Sequence, residues 1–373
     1  MNIGILRESG TEKRVIITPE VVKSLIDMKA GVYIEKGAGE KATISDKQYV
    51  NAGASIGTKS DVFDICKVIL KINNLTEEEL KALKKDQVVV ASLNPFINIQ
   101  TVKKLADEKV TSFSMELVPR ITRAQSMDIL SSMATVAGYK AVLDAAMHLP
   151  KFFPMFMSAA GTIKPAKILI LGAGVAGLQA IAIARKLGAV VEVFDVRSAV
   201  KDEVKSLGGK FIEVEGAVED KNAGGYAVEQ TEEFKERQAK LIHDHTIKSD
   251  VVICTAQIPG KRAPVLIKKE TVEGMRSGSV IVDLAASTGG NCEITKDGET
   301  ILYHEITIIG KSDYPSDMPY DSSLMFARNV LNFLKLIIDE EGNLNLDFED
   351  EIIRNTCLTY NGEIIIDKVK STM

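Results

Sequence analysis

The residues with the clearest chemical meaning in this sequence are three glycines, Gly172, Gly174 and Gly177, and one acid, Asp195. The glycines have the spacing G-x-G-x-x-G and directly follow the apolar run 168–171. At this spacing the first glycine permits a tight turn, the second lets the backbone approach a pyrophosphate, and the third lets the following helix pack close to the strand. The start of that helix offers free N–H groups and a positive dipole end to phosphates. The pattern predicts a dinucleotide-binding turn, and the alternative is a glycine-rich turn without a ligand.

Asp195 indicates which dinucleotide would bind. It lies roughly 20 residues after the glycines, at the end of the β-branched run 190–193. A carboxylate there can accept hydrogen bonds from both ribose hydroxyls and would repel a 2′-phosphate, which favours NAD over NADP. Arg197, two residues further on, weakens that preference.

Length, charge and cysteine content narrow the class of protein. At 373 residues the chain predicts two domains. The net charge of −5 and the lack of a basic run argue against a nucleic-acid partner. The four cysteines lack C-x-x-C spacing, so no metal site and no disulfide framework are predicted, and a reducing compartment fits best. The N-terminus has no signal-peptide pattern and the longest uncharged stretch breaks into strand plus helix, so we expect no membrane crossing by this chain alone.

Apolar runs that alternate with helical patterns predict the fold. Strand-like runs occur at 3–6, 32–35, 68–72, 88–91, 111–115, 168–171, 190–193, 251–255, 280–284 and 307–309. Alternation of this kind predicts an α/β fold of two Rossmann-like, doubly wound parallel-sheet domains. We expect long connecting helices at 122–149 and 322–339 and a C-terminal hairpin that turns at Asn361-Gly362. The expected domains are 1–130 plus 320–373, and an NAD-binding domain at 131–319.

A second group of polar residues lies at the start of the first long helical pattern. It comprises Arg120, Gln125, Asp128 and Ser131, and the last three are spaced at three residues, hence roughly along one helix face. If that helix connects the domains, the face points into the cleft between them, where these groups could hold a nicotinamide. The alternative is a solvated helix start with Asp128 favourably placed near the positive dipole end.

Other candidates are weaker on residue pattern alone. Lys71 closes a strand and could face a cleft, although a strand-terminal lysine is more often solvated. His243 and His245 lack Cys or acid partners at metal-ligand spacing, so surface histidines are the simpler interpretation. The polar stretch 213–248 is too long for an ordinary connection and suggests a flap. The loops 256–261 and 283–291 follow buried strands on the expected cofactor side, or serve turn geometry only.

Long strings of this sequence resemble one known family. They are RITRAQSMDILSS, AGYKAV, FPMFMSAAGTIKPAKILILGAGVAGLQAIA, DVRSAVKDEVKSLGGKFIEV, GGYAVE, IPGKRAPVLI and GSVIVDLAASTGGNCE. They are similar to the NAD(H)-binding domain I, within the α subunit, of proton-translocating NAD(P) transhydrogenase. The resemblance runs from Ile3 to the final hairpin, and alanine dehydrogenases share the two-domain fold.

The resemblance implies a set of cofactor contacts. The residues implied at the nicotinamide end, and as the catalytic group, are Arg120, Gln125, Asp128 and Ser131. Catalysis there means positioning, in which Arg120 and Gln125 orient the ring and Asp128 and Ser131 support them. The residues implied at the pyrophosphate, the adenosine and the rest of the pocket are Ala173, Gly174, Val175, Asp195, Val196, Arg197, Gly225, Tyr226, Gln238 and Gln257. The glycine pattern itself adds Gly172 and Gly177 to the cofactor-binding residues. Tyr226 matches the tyrosine of the family's mobile loop. Gln257 stands where the family commonly has leucine, and Met133 where it commonly has glutamine.

Acid–base chemistry distinguishes transhydrogenase subunits from alanine dehydrogenases. Alanine dehydrogenases supply proton donors with a lysine and a histidine; Lys71 stands in the lysine's place, but Asn94 stands where the histidine is expected. Hydride transfer between two nicotinamides needs close approach and no proton donor. The resemblance therefore implies a transhydrogenase subunit, and the alternatives are a self-sufficient amino-acid dehydrogenase and a non-catalytic NAD-binding regulatory module.

The resemblance also implies cofactors, partners and location. NAD(H) would bind this chain, and NADP(H) would bind a partner subunit. The partners would be a second copy, in a homodimer, and the NADP(H)-binding and membrane-spanning subunits that translocate protons. The implied location is the cytoplasmic face of a bacterial inner membrane.

Overall fold

The computed structural model describes residues 1–214, 231–258 and 261–371. The chain divides into two compact units. Unit 1 comprises Met1–Met133 and Pro315–Met373, and unit 2 comprises Ala134–Tyr314.

The described residues form short strands and mostly short helices. The strands are β1 Asn2–Ile5, β2 Gly31–Glu35, β3 Ser55–Gly57, β4 Val68–Leu70, β5 Val88–Ala91, β6 Thr111–Ser114, β7 Phe156–Ser158, β8 Gly161–Ile163, β9 Lys167–Leu171, β10 Val190–Phe194, β11 Lys210–Ile212, β12 Val251–Cys254, β13 Val280–Asp283, β14 Thr300–Tyr303, β15 Ile306–Gly310, β16 Cys357–Tyr360 and β17 Glu363–Ile364. The α-helices are α1 Pro19–Asp27, α2 Asp46–Asn51, α3 Lys59–Ile65, α4 Glu77–Ala82, α5 Ile99–Asp107, α6 Ile129–His148, α7 Val175–Lys186, α8 Lys201–Ser206, α9 Glu232–Thr246, α10 Lys269–Glu273, α11 Pro319–Ile337, α12 Glu351–Thr356 and α13 Asp367–Lys370.

Each unit is built on one large sheet, and the parallel strands of the two sheets follow the same order. In unit 1 the order is β17-β16-β6-β5-β4-β1-β2-β3, and in unit 2 it is β11-β10-β9-β12-β13-β15-β14. Six neighbouring strands in each sheet are parallel, and the remaining strands pair antiparallel at one edge. Numbered within its own unit, each parallel set has the order 3-2-1-4-5-6 of a doubly wound dinucleotide fold. The predicted fold class is therefore confirmed.

Apolar side chains cover both faces of each sheet. Along β9, Ile168 and Ile170 pack into one core, while Leu169 and Leu171 pack into a second core on the opposite face. The central strands of unit 1 divide in the same way between two cores. A strand buried on both faces must be apolar at every position, which is why the predicted strands appear as continuous apolar runs.

The first long helical pattern is not one helix. Residues Thr122–Met127 form a 3₁₀ helix, Asp128 is extended with φ −74° and ψ 93°, and α6 begins at Ile129. Asp128 accepts hydrogen bonds from the backbone N–H of Ser131 at 2.9 Å and from its hydroxyl at 2.6 Å. The carboxylate thus caps α6, because an aspartate competes with backbone carbonyls for N–H groups and favours a helix start over a helix interior.

Several elements were missing from the sequence-based prediction. The edge strands β3 and β11 and the hairpin β7–β8 have strands only three residues long, so they carry too little periodicity to be recognised. The second half of the suggested flap, 232–246, is the helix α9. The C-terminal hairpin is confirmed, and Asn361 and Gly362 both have positive φ, as a tight two-residue turn requires.

Candidate cofactor-binding site

The dinucleotide turn lies where the strand order of unit 2 reverses. β9 and β12 are neighbours in the sheet, but the strands that follow each of them in the chain lie on opposite sides. The turn after β9 begins at Gly172, and the loop after β12 begins at Thr255. In open α/β sheets ligands bind outside the carboxyl ends of the strands at this reversal. The topology thus places the predicted turn at the expected ligand crevice of its own unit.

Each of the three glycines has a distinct steric role. Gly172 has φ +103°, and a Cβ there would lie 2.5 Å from the Thr255 hydroxyl oxygen. A Cβ on Gly177 would lie 2.0 Å from the carbonyl oxygen of Gly172, so Gly177 allows α7 to pack directly on the turn. A Cβ on Gly174 would meet nothing within 4 Å. The first and third glycines are therefore required by the fold, whereas the second leaves open space beside the start of α7.

Asp195 links the end of β10 to the dinucleotide turn. One carboxylate oxygen accepts the backbone N–H of Ala173 at 2.7 Å, and the other accepts the backbone N–H of Arg197 at 2.9 Å. The Arg197 guanidinium pairs with both oxygens, at 2.9 and 2.7 Å, and this hydrogen bonding raises the pKa of Arg197. The carboxylate thus fixes the turn, and the adjacent guanidinium partly offsets its negative charge.

The loop after β12 packs against the same turn. The Thr255 hydroxyl donates to the carbonyl oxygens of Leu171 and Gly172, at 3.2 and 3.0 Å. The Gln257 side chain is exposed, but its amide donates to the carbonyl of Leu284 at 2.9 Å. Gln257 therefore bridges the loops after β12 and β13, a contact that a leucine at this position could not make.

Of the remaining candidate residues in unit 2, three lie within the described residues and two lie outside them. Val175 is exposed at the first position of α7, and Val196 is half-buried between Asp195 and Arg197. Gln238 is half-buried on α9. Gly225 and Tyr226, with the flap predicted around them, lie outside the described residues.

The second polar group lies in unit 1. Arg120 and Gln125 are exposed, and Gln125 lies in the 3₁₀ helix that precedes α6. Asp128 and Ser131 are half-buried and hydrogen-bonded to one another. The expectation of one continuous α-helical face was wrong, because the Asp128 cap separates the 3₁₀ helix from α6. The role of Asp128 and Ser131 is therefore at least partly structural.

The position of Lys71 at a strand end suggested a solvated side chain, but the structure buries it. Its side chain is fully buried, and its Nζ lies 2.6 Å from a carboxylate oxygen of the buried Glu79. Lys59 reaches the other oxygen of Glu79 at 3.1 Å. Lys71 takes part in a buried ion pair whose partner, eight residues further on, no motif indicated.

Two carboxylates that the sequence-based prediction missed lie in unit 1, in the loop after β1 and beside the loop after β4. Glu8 accepts the backbone N–H of Ile72 at 2.6 Å, and Glu12 pairs with Arg14 at 2.8 and 2.6 Å. The Asn73 amide reaches both, at 3.3 and 3.1 Å. The place of Glu8 at the reversal between β1 and β4 could have been expected, because it lies two residues after the end of the predicted strand 3–6, whereas no such signal pointed to Glu12.

The two carboxylates have opposite pKa shifts. Burial raises the pKa of Glu8 to about 7, against the weaker opposing effects of the Ile72 hydrogen bond and the Lys71 charge. Burial also acts to raise the pKa of Glu12, but hydrogen bonds from Arg14 and its charge outweigh burial and lower it to about 2. At neutral pH Glu12 is ionised, while Glu8 is near its midpoint.

We expect the wild-type chain to become less stable as pH rises from about 4.5 to about 7, because of Glu8. The Glu8→Gln variant should lack this part of the pH dependence. In that range the unfolded chain ionises Glu8 while the folded chain keeps the proton, so folding becomes less favourable by at most about 3 kcal/mol. Urea unfolding midpoints of both proteins at the two ends of this range measure the effect. Equal pH dependence in the two proteins would show that Glu8 is not the group responsible.

Histidine and cysteine side chains do not suggest a metal centre. His245 lies 2.7 Å from Glu192, and His243 lies 2.9 Å from the Thr271 hydroxyl, so both are half-buried partners and not simply surface histidines. All four cysteines are buried free thiols. Across the described ranges no cluster of three or more His, Cys, Asp or Glu residues could hold a metal ion.

Crossing a membrane requires a helix that is both long and predominantly apolar. Among the helices in the described portion of the chain, none combines the two properties.

Comparison with known proteins gives the same family over the whole length. The N-terminal domain model of alanine dehydrogenase/PNT matches residues 4–137, and the C-terminal domain model matches residues 141–367. The chain is 45% identical over 375 residues to the first part of NAD(P) transhydrogenase subunit alpha of Rhodospirillum rubrum, covering 98% of each protein. It is 43% identical to NAD(P) transhydrogenase subunit alpha of Haemophilus influenzae, covering 98% of this chain and 72% of that one.

Alanine dehydrogenases are more distant relatives. That of Methanococcus maripaludis is 29% identical, covering 99% of this chain and 95% of the relative. Among solved structures, the transhydrogenase from Sinorhizobium meliloti superposes with a TM-score of 0.90 at 42% identity, covering 98% of this chain and 100% of that one. An L-alanine dehydrogenase superposes with a TM-score of 0.83 at 23% identity, which shows the shared fold.

The family binds NAD(H), and the glycine turn at the strand reversal of unit 2 provides the corresponding local geometry. Identity of 45% and 43% to these two α-subunit relatives over 98% of this chain, against 29% to an alanine dehydrogenase, decides the branch. The chain belongs to the alanine dehydrogenase/PNT family, on the branch of the NAD(P) transhydrogenase α subunits.

Proposed function

We propose that this chain holds NADH and passes its hydride to NADP⁺ held by a partner subunit, while membrane-spanning subunits couple the transfer to proton translocation. The observation that carries the proposal is the turn 172–177 at the strand reversal of unit 2, with open space at Gly174 beside the start of α7. The proposed assembly is a homodimer of this chain, docked with its partners on the cytoplasmic face of a bacterial inner membrane.

The turn fits a pyrophosphate on steric and electrostatic grounds. α7 spans twelve residues and begins directly after Gly174, which has no side chain to occupy the helix start. Its first N–H groups and positive dipole end favour phosphate oxygens. We propose that the segment 172–177 holds the pyrophosphate, that the segment 195–197 meets the adenosine, and that Gly225, Tyr226, Gln238 and Gln257 complete the pocket.

The unit 1 residues are proposed to act by positioning. When bound, NADH supplies two electrons and a proton as hydride from the nicotinamide C4, so NADH becomes NAD⁺ and NADP⁺ becomes NADPH without a proton donor. The protein has only to orient the donor ring. We propose that Arg120 and Gln125 contact that ring and that the bonded pair Asp128 and Ser131 supports them.

We expect Gln125→Asn to slow hydride transfer at least about tenfold while changing the Kd for NADH no more than about twofold, because a shortened amide misplaces the ring without removing the main binding contacts. Single-turnover transfer to partner-bound NADP⁺ and NADH titration measure the two quantities. Gln100→Asn, at another exposed glutamine of unit 1, is the control. Loss of NADH affinity with normal transfer from the bound state would contradict the role.

A self-sufficient amino-acid dehydrogenase is the second candidate, because alanine dehydrogenases align over nearly the whole chain. Against it, Lys71 is buried in its ion pair with Glu79, and Asn94 stands where the family's histidine is expected. The deciding experiment follows NADH oxidation by the purified chain with pyruvate plus ammonia and, separately, with an NADP⁺-loaded transhydrogenase partner. Oxidation with the partner alone supports the proposed function, and turnover with pyruvate and ammonia overturns it.

A further inference from the structure

The side chain of Asn291 contacts the loop after β12 through both its amide oxygen and its amide nitrogen. It is fully buried, and its Oδ1 accepts the backbone N–H of Ala256 at 3.0 Å. Its Nδ2 donates to the carbonyl oxygens of Ala256 and Pro264, at 2.9 and 2.8 Å. Only an amide offers an acceptor and two donors in this arrangement. One side chain thus pairs with both backbone groups of Ala256.

This pairing begins where the pairing of the sheet ends. The last sheet-like bonds at this end of β12 are Thr255 N–H to Leu171 and Leu284 N–H to Cys254, at 2.8 and 3.0 Å. Beyond them Ala256 lies outside the strands that the structure describes, and the Asn291 side chain is the hydrogen-bonding partner of its backbone N–H and carbonyl. Ala256 is half-buried, and the fully buried Asn291 amide pairs with both its backbone N–H and its carbonyl, so the amide fixes the course of the chain at this residue.

Asn291 is itself held by a buried acid. Asp283, at the end of β13, accepts the backbone N–H groups of Asn291 and Cys292, at 2.8 and 3.0 Å, and the Thr295 hydroxyl at 2.8 Å. It also accepts the N–H of Ala285 at 3.0 Å. Asp283 therefore holds the loop after β13 in place, and the Asn291 amide on that loop positions the loop after β12.

The positioned loop contacts the dinucleotide turn. Thr255, immediately before Ala256, donates to the carbonyl of Gly172, and a Cβ on Gly172 would lie 2.5 Å from its oxygen. A shift of Ala256 would therefore move Thr255 against the turn, and would also move Gln257. We propose that Asn291 is a positioning residue for the NAD(H) site, which acts through Ala256 and Thr255 on the turn at Gly172. The inference rests on the proposed function, since it assumes that NAD(H) binds there.

The test compares NADH dissociation constants of the wild-type chain, Asn291→Ala, the milder Asn291→Ser and a control, Lys151→Met. The control breaks the 2.8 Å ion pair with Asp250, which immediately precedes the opposite end of the same strand β12. Because the chain has no tryptophan, binding can be followed through NADH fluorescence without tryptophan emission. Thermal midpoints are measured for every protein.

We expect Asn291→Ala to weaken NADH binding at least about tenfold, equivalent to about 1.4 kcal/mol. Asn291→Ser, which keeps one polar group, should recover part of this affinity. The Kd of Lys151→Met for NADH should stay within about twofold of the wild-type value, even if its thermal midpoint falls as far as that of Asn291→Ala.

Two results would overturn the inference while leaving the proposed function intact. The first is wild-type affinity in both Asn291 variants. The second is a loss of affinity that follows the thermal midpoint equally in the Asn291 variants and the control. Failure of the wild-type chain to bind NADH would instead overturn the proposed function itself.

Discussion

Gly174→Ala is expected to weaken NADH binding at least about tenfold while changing the free energy of unfolding by no more than about 1 kcal/mol. A Cβ at this position meets nothing within 4 Å in the protein, and Gly174 has φ −76°, which alanine adopts readily. Alanine stabilises the fold by lowering the conformational entropy of the unfolded chain, but it is a poorer N-cap than glycine, so the two effects on stability oppose one another. The added methyl group would instead occupy the space proposed for the pyrophosphate.

Gly177→Ala is the matched comparison, because it changes the same turn from the protein side. Its Cβ would lie 2.0 Å from the carbonyl oxygen of Gly172, so either the helix or the turn must move. We expect a loss of about 1–3 kcal/mol in stability together with weaker NADH binding. NADH titration and urea unfolding of both variants separate the effects. Wild-type affinity in Gly174→Ala would show that the open space is not the phosphate site.

Lys71→Met is expected to give the largest loss of stability, about 3 kcal/mol or more, because it leaves the buried Glu79 without its closest cation. Lys59→Met removes the other cation from the same carboxylate, but the Lys59 side chain is 43% exposed. That change should cost less than about 1 kcal/mol. Urea unfolding midpoints of the two variants measure the difference.

A paired change tests the cause of that loss. Adding Glu79→Gln to Lys71→Met should restore much of the lost stability, because no buried charge then remains unpaired. NADH affinity, whose main contacts are proposed to lie in unit 2, should be unchanged throughout. Equal losses in the two single lysine variants would show that Lys71 is not the dominant partner of Glu79.

The sequence predicted the fold class and the central strands because these depend on local chemistry. A strand buried on both faces must be apolar throughout, so β5 appears in the sequence as the uninterrupted run Val88–Ala91. The hairpin turn at Asn361-Gly362 was predictable for a similar reason, since these two residues tolerate positive φ. Short edge strands such as β3 were not predicted, because three residues carry too little periodicity.

Helix boundaries depended on side-chain competition that periodicity does not register. The pattern over 122–149 is apolar enough for one helix. The Asp128 carboxylate, however, accepts the Ser131 N–H, and α6 therefore begins at Ile129, directly after Asp128. Burial of charge was also invisible in the sequence. Lys71 follows a strand, as many solvated lysines do, and only the packing of α4 brings Glu79 to it.

By itself the sequence determined the glycine turn, the acid that follows it and the family, because each is carried by residues within one continuous segment or by similarity along the chain. Only the tertiary structure decided how that turn is held. The contacts of Asn291 with Ala256, of Thr255 with Gly172, and of Asp195 with Ala173 join residues 22 to 83 positions apart. Strand order brings such residues together, and strand order is a property of the folded sheet that no local pattern encodes.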